Sequence, residues 1–219
     1  MDLQTKFDCA CSEGHADLVQ ELIELPRVYV NGRARRAGWG CMPLTAAAEG
    51  GHAEVVRVLV KRPDIDVNRR TGRGWTALMC AAWRGHVGVV RVLLETPGTD
   101  ANSASQNGLT ALSLAFSFGH MEVVEVLLAV PGIDIRRSID QWGRTPLAVA
   151  RCRKGYAHIV ALLEEAHVRR LVGPLLLALL HGGVPQGDAV DLAILGLEDL
   201  HLRARAQRMR GPEPELDAF

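Results

Sequence analysis

Charge of one sign is the first thing this chain lacks. Its 25 Lys and Arg face 25 Asp and Glu, and the pI falls near 7.1. A protein that grips nucleic acid or a membrane surface with its whole body needs a positive surplus, so that class is disfavoured, although local patches escape the argument. Long apolar runs are missing too. The longest, Leu171 to Leu180, is about half of the ~20 residues a membrane span needs, and Gly173-Pro174 interrupts it. The opening Met1-Asp2-Leu3-Gln4-Thr5-Lys6 is polar and offers no apolar core for a secretory signal. The five cysteines (Cys9, Cys11, Cys41, Cys80, Cys152) are an odd count without a framework spacing. Reduced thiols in an intracellular protein, cytoplasmic or nuclear, are therefore expected. Nor is there a Gly-x-x-x-x-Gly-Lys phosphate loop, a Gly-x-Ser-x-Gly elbow or a Cys/His pair in a recognisable setting, so catalysis and a cofactor are not expected.

What is present is repetition. Gly-His, two variable residues, a branched apolar residue and Val recur as Gly14-His15 to Val19, Gly51-His52 to Val56, Gly85-His86 to Val90 and Gly119-His120 to Val124. A weakened copy is Gly155-Tyr156-Ala157-His158-Ile159-Val160. The glycines lie 37, 34, 34 and 36 residues apart. A period of this size marks a stacked-repeat solenoid, in which each unit buries its apolar face only against its neighbours.

One unit shows the physics. Thr76 can accept hydrogen bonds from the free N–H groups of a first turn, starting a short helix over Ala77 to Trp83. Gly85 stops it. A second helix over Val87 to Glu95 carries Val89, Val90, Val92, Leu93 and Leu94 as its apolar face. The turn-rich run from Thr96 then leads through Asn107-Gly108 to the next Thr110-Ala111-Leu112. Each unit thus reads as a β-turn or hairpin finger followed by two antiparallel helices.

These residues closely resemble the ankyrin repeat. The family's Gly-x-Thr-Pro-Leu opening stands at Gly143-Arg144-Thr145-Pro146-Leu147, and with Ala for Pro at Thr76 and Thr110. With Met for Thr it stands at Gly40-Cys41-Met42-Pro43-Leu44. Asp-Val-Asn is present at Asp66-Val67-Asn68 and altered at Asp100-Ala101-Asn102. The His that usually follows Pro-Leu is absent, replaced by Thr45, Met79, Ser113 and Ala148. The resemblance implies an all-α repeat solenoid: an ankyrin stack of about five helix-turn-helix repeats with β-turn or hairpin fingers and a degenerate helical C-terminal cap. The expected repeat domain is 1–166, with repeats at about 2–35, 36–71, 72–105, 106–140 and 141–166. The first has no finger of its own and a helix over Lys6 to Ser12. A helical extension over 167–210 follows, readable as a fingerless sixth unit at Pro174-Leu175 and a last helix from Asp188. The tail 211–219 is expected to be disordered.

The histidines His15, His52, His86 and His120 hold one repeat position, hence one per layer. Packed helices sit about 8–10 Å apart, too far for consecutive layers to share a zinc ion, so no metal is expected and the rings are read as structural. Cys9 shares its position with Leu114 and Val149 and is read as buried. Asn68 and Asn102 match a family position that an asparaginyl hydroxylase can modify, but a side chain holding the finger turn is the favoured role.

In this family, partners usually contact finger tips and exposed positions of the first helix. Carried over by alignment, that points to Trp39, Cys41 and Glu49 in the second unit and Arg73, Trp75, Trp83 and Arg84 in the third. The fourth offers Leu109 and Phe118, the fifth Trp142 and Arg144. All four tryptophans fall in the set, and Trp and Arg are the residues most enriched among interface hot spots. The fingers are also basic (Arg33, Arg35, Arg36; Arg69, Arg70, Arg73; Arg136, Arg137, Arg144), offset by acid elsewhere. The expected activity is non-enzymatic binding, by a monomer, of a protein partner with an acidic or phosphorylated segment. The alternative is a two-partner adaptor, such as a substrate-recruiting subunit of a ubiquitin ligase, with the C-terminal helices as second docking site.

Overall fold

The computed structural model describes residues 2–32, 42–137, 143–152 and 156–180. The chain divides into two compact units, Met1–Leu163 and Glu164–Phe219. Every element described is a helix, and no strand occurs among the described residues. The helices come in pairs: α1 (Leu3–Glu13) with α2 (Ala16–Leu22), α3 (Pro43–Gly50) with α4 (Ala53–Val60), α5 (Ala77–Arg84) with α6 (Val87–Glu95), and α7 (Ala111–Phe118) with α8 (Met121–Leu128). Next come α9 (Pro146–Arg151) and α10 (Ala157–Leu180), which runs on through Gly173-Pro174. The expected cap helix after Asp188 and the tail 211–219 lie outside the described residues, as does most of the finger before Met42. None of the helices described is long and apolar enough to cross a membrane.

Local chemistry sets the helix starts. Thr76, Thr110 and Thr145 each accept at Oγ1 from the N–H three residues on. Met42 has no such oxygen, and Thr45 compensates from inside the turn: its hydroxyl accepts from the Met42 N–H at 2.9 Å and donates to the Met42 carbonyl at 2.9 Å. Ser113 makes the same pair with Thr110. Two positions where family members carry His thus keep the cap with a hydroxyl. The first helix begins earlier than the expected Lys6. Asp2 accepts from the Thr5 N–H at 2.7 Å, so the cap lies at Asp2 and Thr5 sits within the helix.

Packing explains the Gly-His pair. Gly85 closes α5 at φ +79°, and a Cβ built there would come 2.5 Å from the His120 ring of the following unit. His120 Nε2 in turn lies 2.9 Å from the Trp83 carbonyl at the end of α5. His86 reaches the Glu49 carbonyl at 2.9 Å and His52 the Ser12 carbonyl at 3.0 Å, each against the preceding unit's glycine. Each of these rings therefore bonds across the joint, to a helix end that would otherwise keep a bare carbonyl.

The first helices α1, α3, α5 and α7 form one layer and the second helices α2, α4, α6 and α8 another. Ala47, Ala48, Ala81, Ala82 and Ala115, all fully buried, let the first helices approach. The Val pairs Val55-Val56, Val89-Val90 and Val123-Val124 are likewise fully buried between the layers. Each such side chain stabilises by about 1.5–3 kcal/mol relative to exposure. Leu94, counted in the apolar face, is only half-buried. Cys9 is also half-buried, and the enclosed thiol is that of Cys11, on the side of α1 that packs inward.

The fingers are turns stitched by asparagine. Asn68 donates from Nδ2 to the Gly98 carbonyl at 2.7 Å and accepts at Oδ1 from the Asp100 N–H at 2.9 Å. Asn31 does the same with Asp64 and Asp66, and Asn102 with Gly132 and Asp134. At the N-terminal end Gln4 plays a comparable part, bonding both the N–H and the carbonyl of Tyr29. Arg70, read from the sequence as finger-edge charge, is spent on this stitching: it donates to the Ala104 carbonyl and, at 3.0 Å, to Ser103 Oγ.

Candidate protein-binding site

Two features of the third unit converge on one face. Its finger closes by a Gly74 N–H to Thr71 carbonyl bond of 2.8 Å and a Thr71 N–H to Trp75 carbonyl bond of 2.9 Å, which hold Trp75 beside the start of α5. Two turns along α5 stands Trp83. The rings meet edge to face, centroids 5.4 Å apart at 78°, an arrangement in which the positive edge of one ring faces the negative face of the other. Phe118, at the end of α7, meets Trp83 in the same manner at 6.0 Å and 84°, and it is 57% exposed.

Arg84 completes the group. Its guanidinium carbon lies 4.0 Å from the Trp83 ring centroid, and Nη2 donates to Glu49 Oε1 at 2.8 Å. Stacking and ion pair together fix the plane of a side chain that would otherwise sample many rotamers. The pair is open to solvent, with 47% of the Arg84 side chain and 35% of Glu49 exposed, so by itself it adds little stability. Glu49, Thr71, Arg73, Trp75, Cys80, Trp83 and Arg84 line a pocket of about 220 Å³. Two tryptophans and three charged side chains share this lining, which suits an apolar side chain accompanied by a polar or ionic one.

Of the residues expected at a binding face, the structure gathers Arg73, Trp75, Trp83, Arg84 and Phe118 here. Leu109 is half-buried, its N–H bonded to Ser105 Oγ at 3.1 Å, and Arg144 is exposed. Neither lines the pocket. Trp39 and Trp142 lie outside the described residues. Thr71 and Cys80 line the pocket without having been singled out. Cys80 has a sequence signal, since it precedes Trp83 by nearly one turn of α5. Elsewhere on the fingers, Arg62 hydrogen-bonds Asp64 at 2.9 Å and holds that carboxyl below the usual carboxylate range, so this cation too has a local partner.

Among the described residues no three His, Cys, Asp or Glu side chains come together as metal ligands would. Against proteins of known families, the family model described as ankyrin repeats (3 copies) matches residues 7–105 and 96–170. A search of the curated proteins found no match.

Proposed function

The chain belongs to the ankyrin-repeat family, and from that premise we propose that it is a non-enzymatic interaction module whose third unit, with its neighbours, holds an acidic or phosphorylated segment of a partner protein. Supporting this is the Arg84–Trp83 stack beside the Trp75 pocket. It combines two aromatic anchors with a guanidinium whose orientation is fixed before any partner arrives, so little ordering entropy is lost on binding. Leu109 and Arg144 are read as extending the same face along the stack, and the repeat pattern of the sequence alone adds Trp39 and Trp142. The wider chain is electrically balanced, so the local cations guide a partner to this face without drawing polyanions everywhere.

Affinity capture from cell lysate with mass-spectrometric readout tests the reading. The baits are the intact chain, a Trp75→Ala/Trp83→Ala/Arg73→Ala variant and a truncation after Ala166, each checked by circular dichroism for retained helix. Partners lost with the triple variant and kept by the truncation support the face. Partners kept by the triple variant and lost on truncation would overturn it and favour a two-partner adaptor that docks through its C-terminal region.

A further inference from the structure

Resting on that reading of the face, we propose that the Trp75–Trp83 pocket receives an apolar side chain whose neighbouring carboxylate binds Arg84, and that Glu49 is the positioning residue that keeps Arg84 ready for it. The pocket lining includes Arg73 and Arg84 against Glu49, one more cationic than anionic side chain in a chain that is neutral overall. A cationic occupant is doubly disfavoured, because the site already holds two guanidiniums and Arg84 covers the Trp83 face that a cation would seek.

Geometry selects a carboxylate. Glu49 engages Arg84 through Nη2, and a guanidinium carries more N–H donors than one carboxylate oxygen can occupy. With one Nη2 N–H given to Glu49, the guanidinium keeps further N–H donors that a second carboxylate can take up two-pronged. Apolar surface lies on the same side. The Trp75 and Trp83 rings wall the pocket, and exposed Phe118 continues the surface one unit further along. An extended segment advances about 3.3 Å per residue, so an apolar residue in the pocket places an acidic residue close to Arg84 within a short stretch of chain.

Glu49 serves two ends that pull apart. Its oxygen anchors Arg84, and its negative charge repels the incoming carboxylate. Glu49→Gln separates them, because the amide oxygen still accepts from Arg84 while the charge is gone. A residue with a merely structural role would not discriminate between charged and neutral ligands, and this one should.

The probe is a set of fluorescein-labelled octapeptides in a Gly-Ser background. Each carries one Leu and one Asp at separations of one to four residues, with a matched set holding Asn in place of Asp. Binding to the full chain is read by fluorescence polarisation, and thermal melts confirm that each variant remains folded. The best Asp peptide should bind about tenfold tighter than its Asn match. Glu49→Gln should tighten the Asp peptide about threefold while leaving the Asn peptide unchanged. Arg84→Lys should erase most of the Asp preference, since an ammonium offers neither the fork nor the stack. Equal binding of Asp and Asn peptides, or an Asp peptide weakened by Glu49→Gln, overturns the proposal. If no octapeptide binds while the Trp75→Ala/Trp83→Ala/Arg73→Ala variant still loses its captured partners, the carboxylate pocket is wrong and the binding face stands.

Discussion

The joint between the third and fourth helix pairs is built from different parts than the joint between the fourth and fifth. In the former, the His120 ring fills the space over Gly85 and bonds the Trp83 carbonyl. In the latter, Tyr156 stands in the His position. Its hydroxyl is 4.0 Å from where a Cβ on Gly119 would be, and its ring packs edge to face on Phe116 at 5.8 Å. An exposed His158–Glu125 contact of 3.0 Å adds to it. Gly85 ends α5 in the left-handed region, whereas α9 ends at Cys152 in ordinary right-handed geometry. The asparagine stitch also changes: Asn102 still clamps Gly132 and Asp134, but Arg136 occupies the next Asn place. A hydrogen bond to one carbonyl admits a single register, while aromatic packing tolerates small shifts. The pocket spans units joined by the stricter device. A site assembled from Glu49, Trp83 and Phe118, which belong to three successive units, depends on their mutual register.

The largest way to break the comparison is an alanine at each glycine. At Gly85 the new Cβ meets the His120 ring and the residue keeps a positive φ, so ring displacement adds to backbone strain. A loss of about 3 kcal/mol is expected. At Gly119, φ +78°, only the strain remains, about 1 kcal/mol. Urea unfolding of the two variants at unchanged slope measures the gap, and equal losses would mean that the His interlock does not tighten its joint.

Next in size is Asn68→Ala, which strands the Gly98 carbonyl and the Asp100 N–H together. Both are partly wet, so about 2 kcal/mol is expected. Gln4→Ala removes two exposed bonds of the same kind to Tyr29 and also the bond to the buried Asp8 carboxylate, so a loss of similar size is expected. Hydrogen exchange sharpens this test: protection should drop at the Asp100 amide in the first variant and at the Tyr29 amide in the second.

Much of this was legible in the sequence. Thr76 and Gly85 fix α5 to within a residue, because a hydroxyl cap and a left-handed stop leave a helix little latitude. The start of α1 was not legible, since Asp2 supplies a cap outside the repeat pattern. A period locates a histidine within its own unit but does not tell which neighbour its ring addresses, so the bond across the joint cannot be read from it. The same holds for charge. Glu49 and Arg84 lie 35 residues apart, one period and one residue, so their proximity was available in principle. That Arg84 would lie over Trp83 rather than extend into solvent was not. Arg70 marks the opposite failure, because a basic residue at a finger edge looks solvated whether it is or not.

The smallest effect sharpens the contrast at α1, where the helix carries a buried carboxylate. Asp8 is buried in α1. Gln4 donates to its Oδ1 at 2.9 Å, and Oδ2 is enclosed without a hydrogen-bond partner. Burial raises its pKa above the usual carboxylate value, the Gln4 bond opposes that rise, and Asp2 adds to it. Burial, with Asp8 nearby, likewise pushes up the Cys11 thiol and keeps it protonated and unreactive. With a folded pKa above the unfolded one, Asp8 contributes most to stability while protonated in both states. That contribution is intact below the unfolded pKa and is lost as pH rises through the folded one. Asp8→Asn removes the charge and keeps an acceptor for Gln4, so it should stabilise by about 1 kcal/mol at neutral pH. Below pH about 4, where both states hold the proton, the gain should vanish. Unfolding midpoints of the two proteins measured across that range should converge at the acid end. Parallel curves would show that the enclosed oxygen costs the folded chain nothing through its charge.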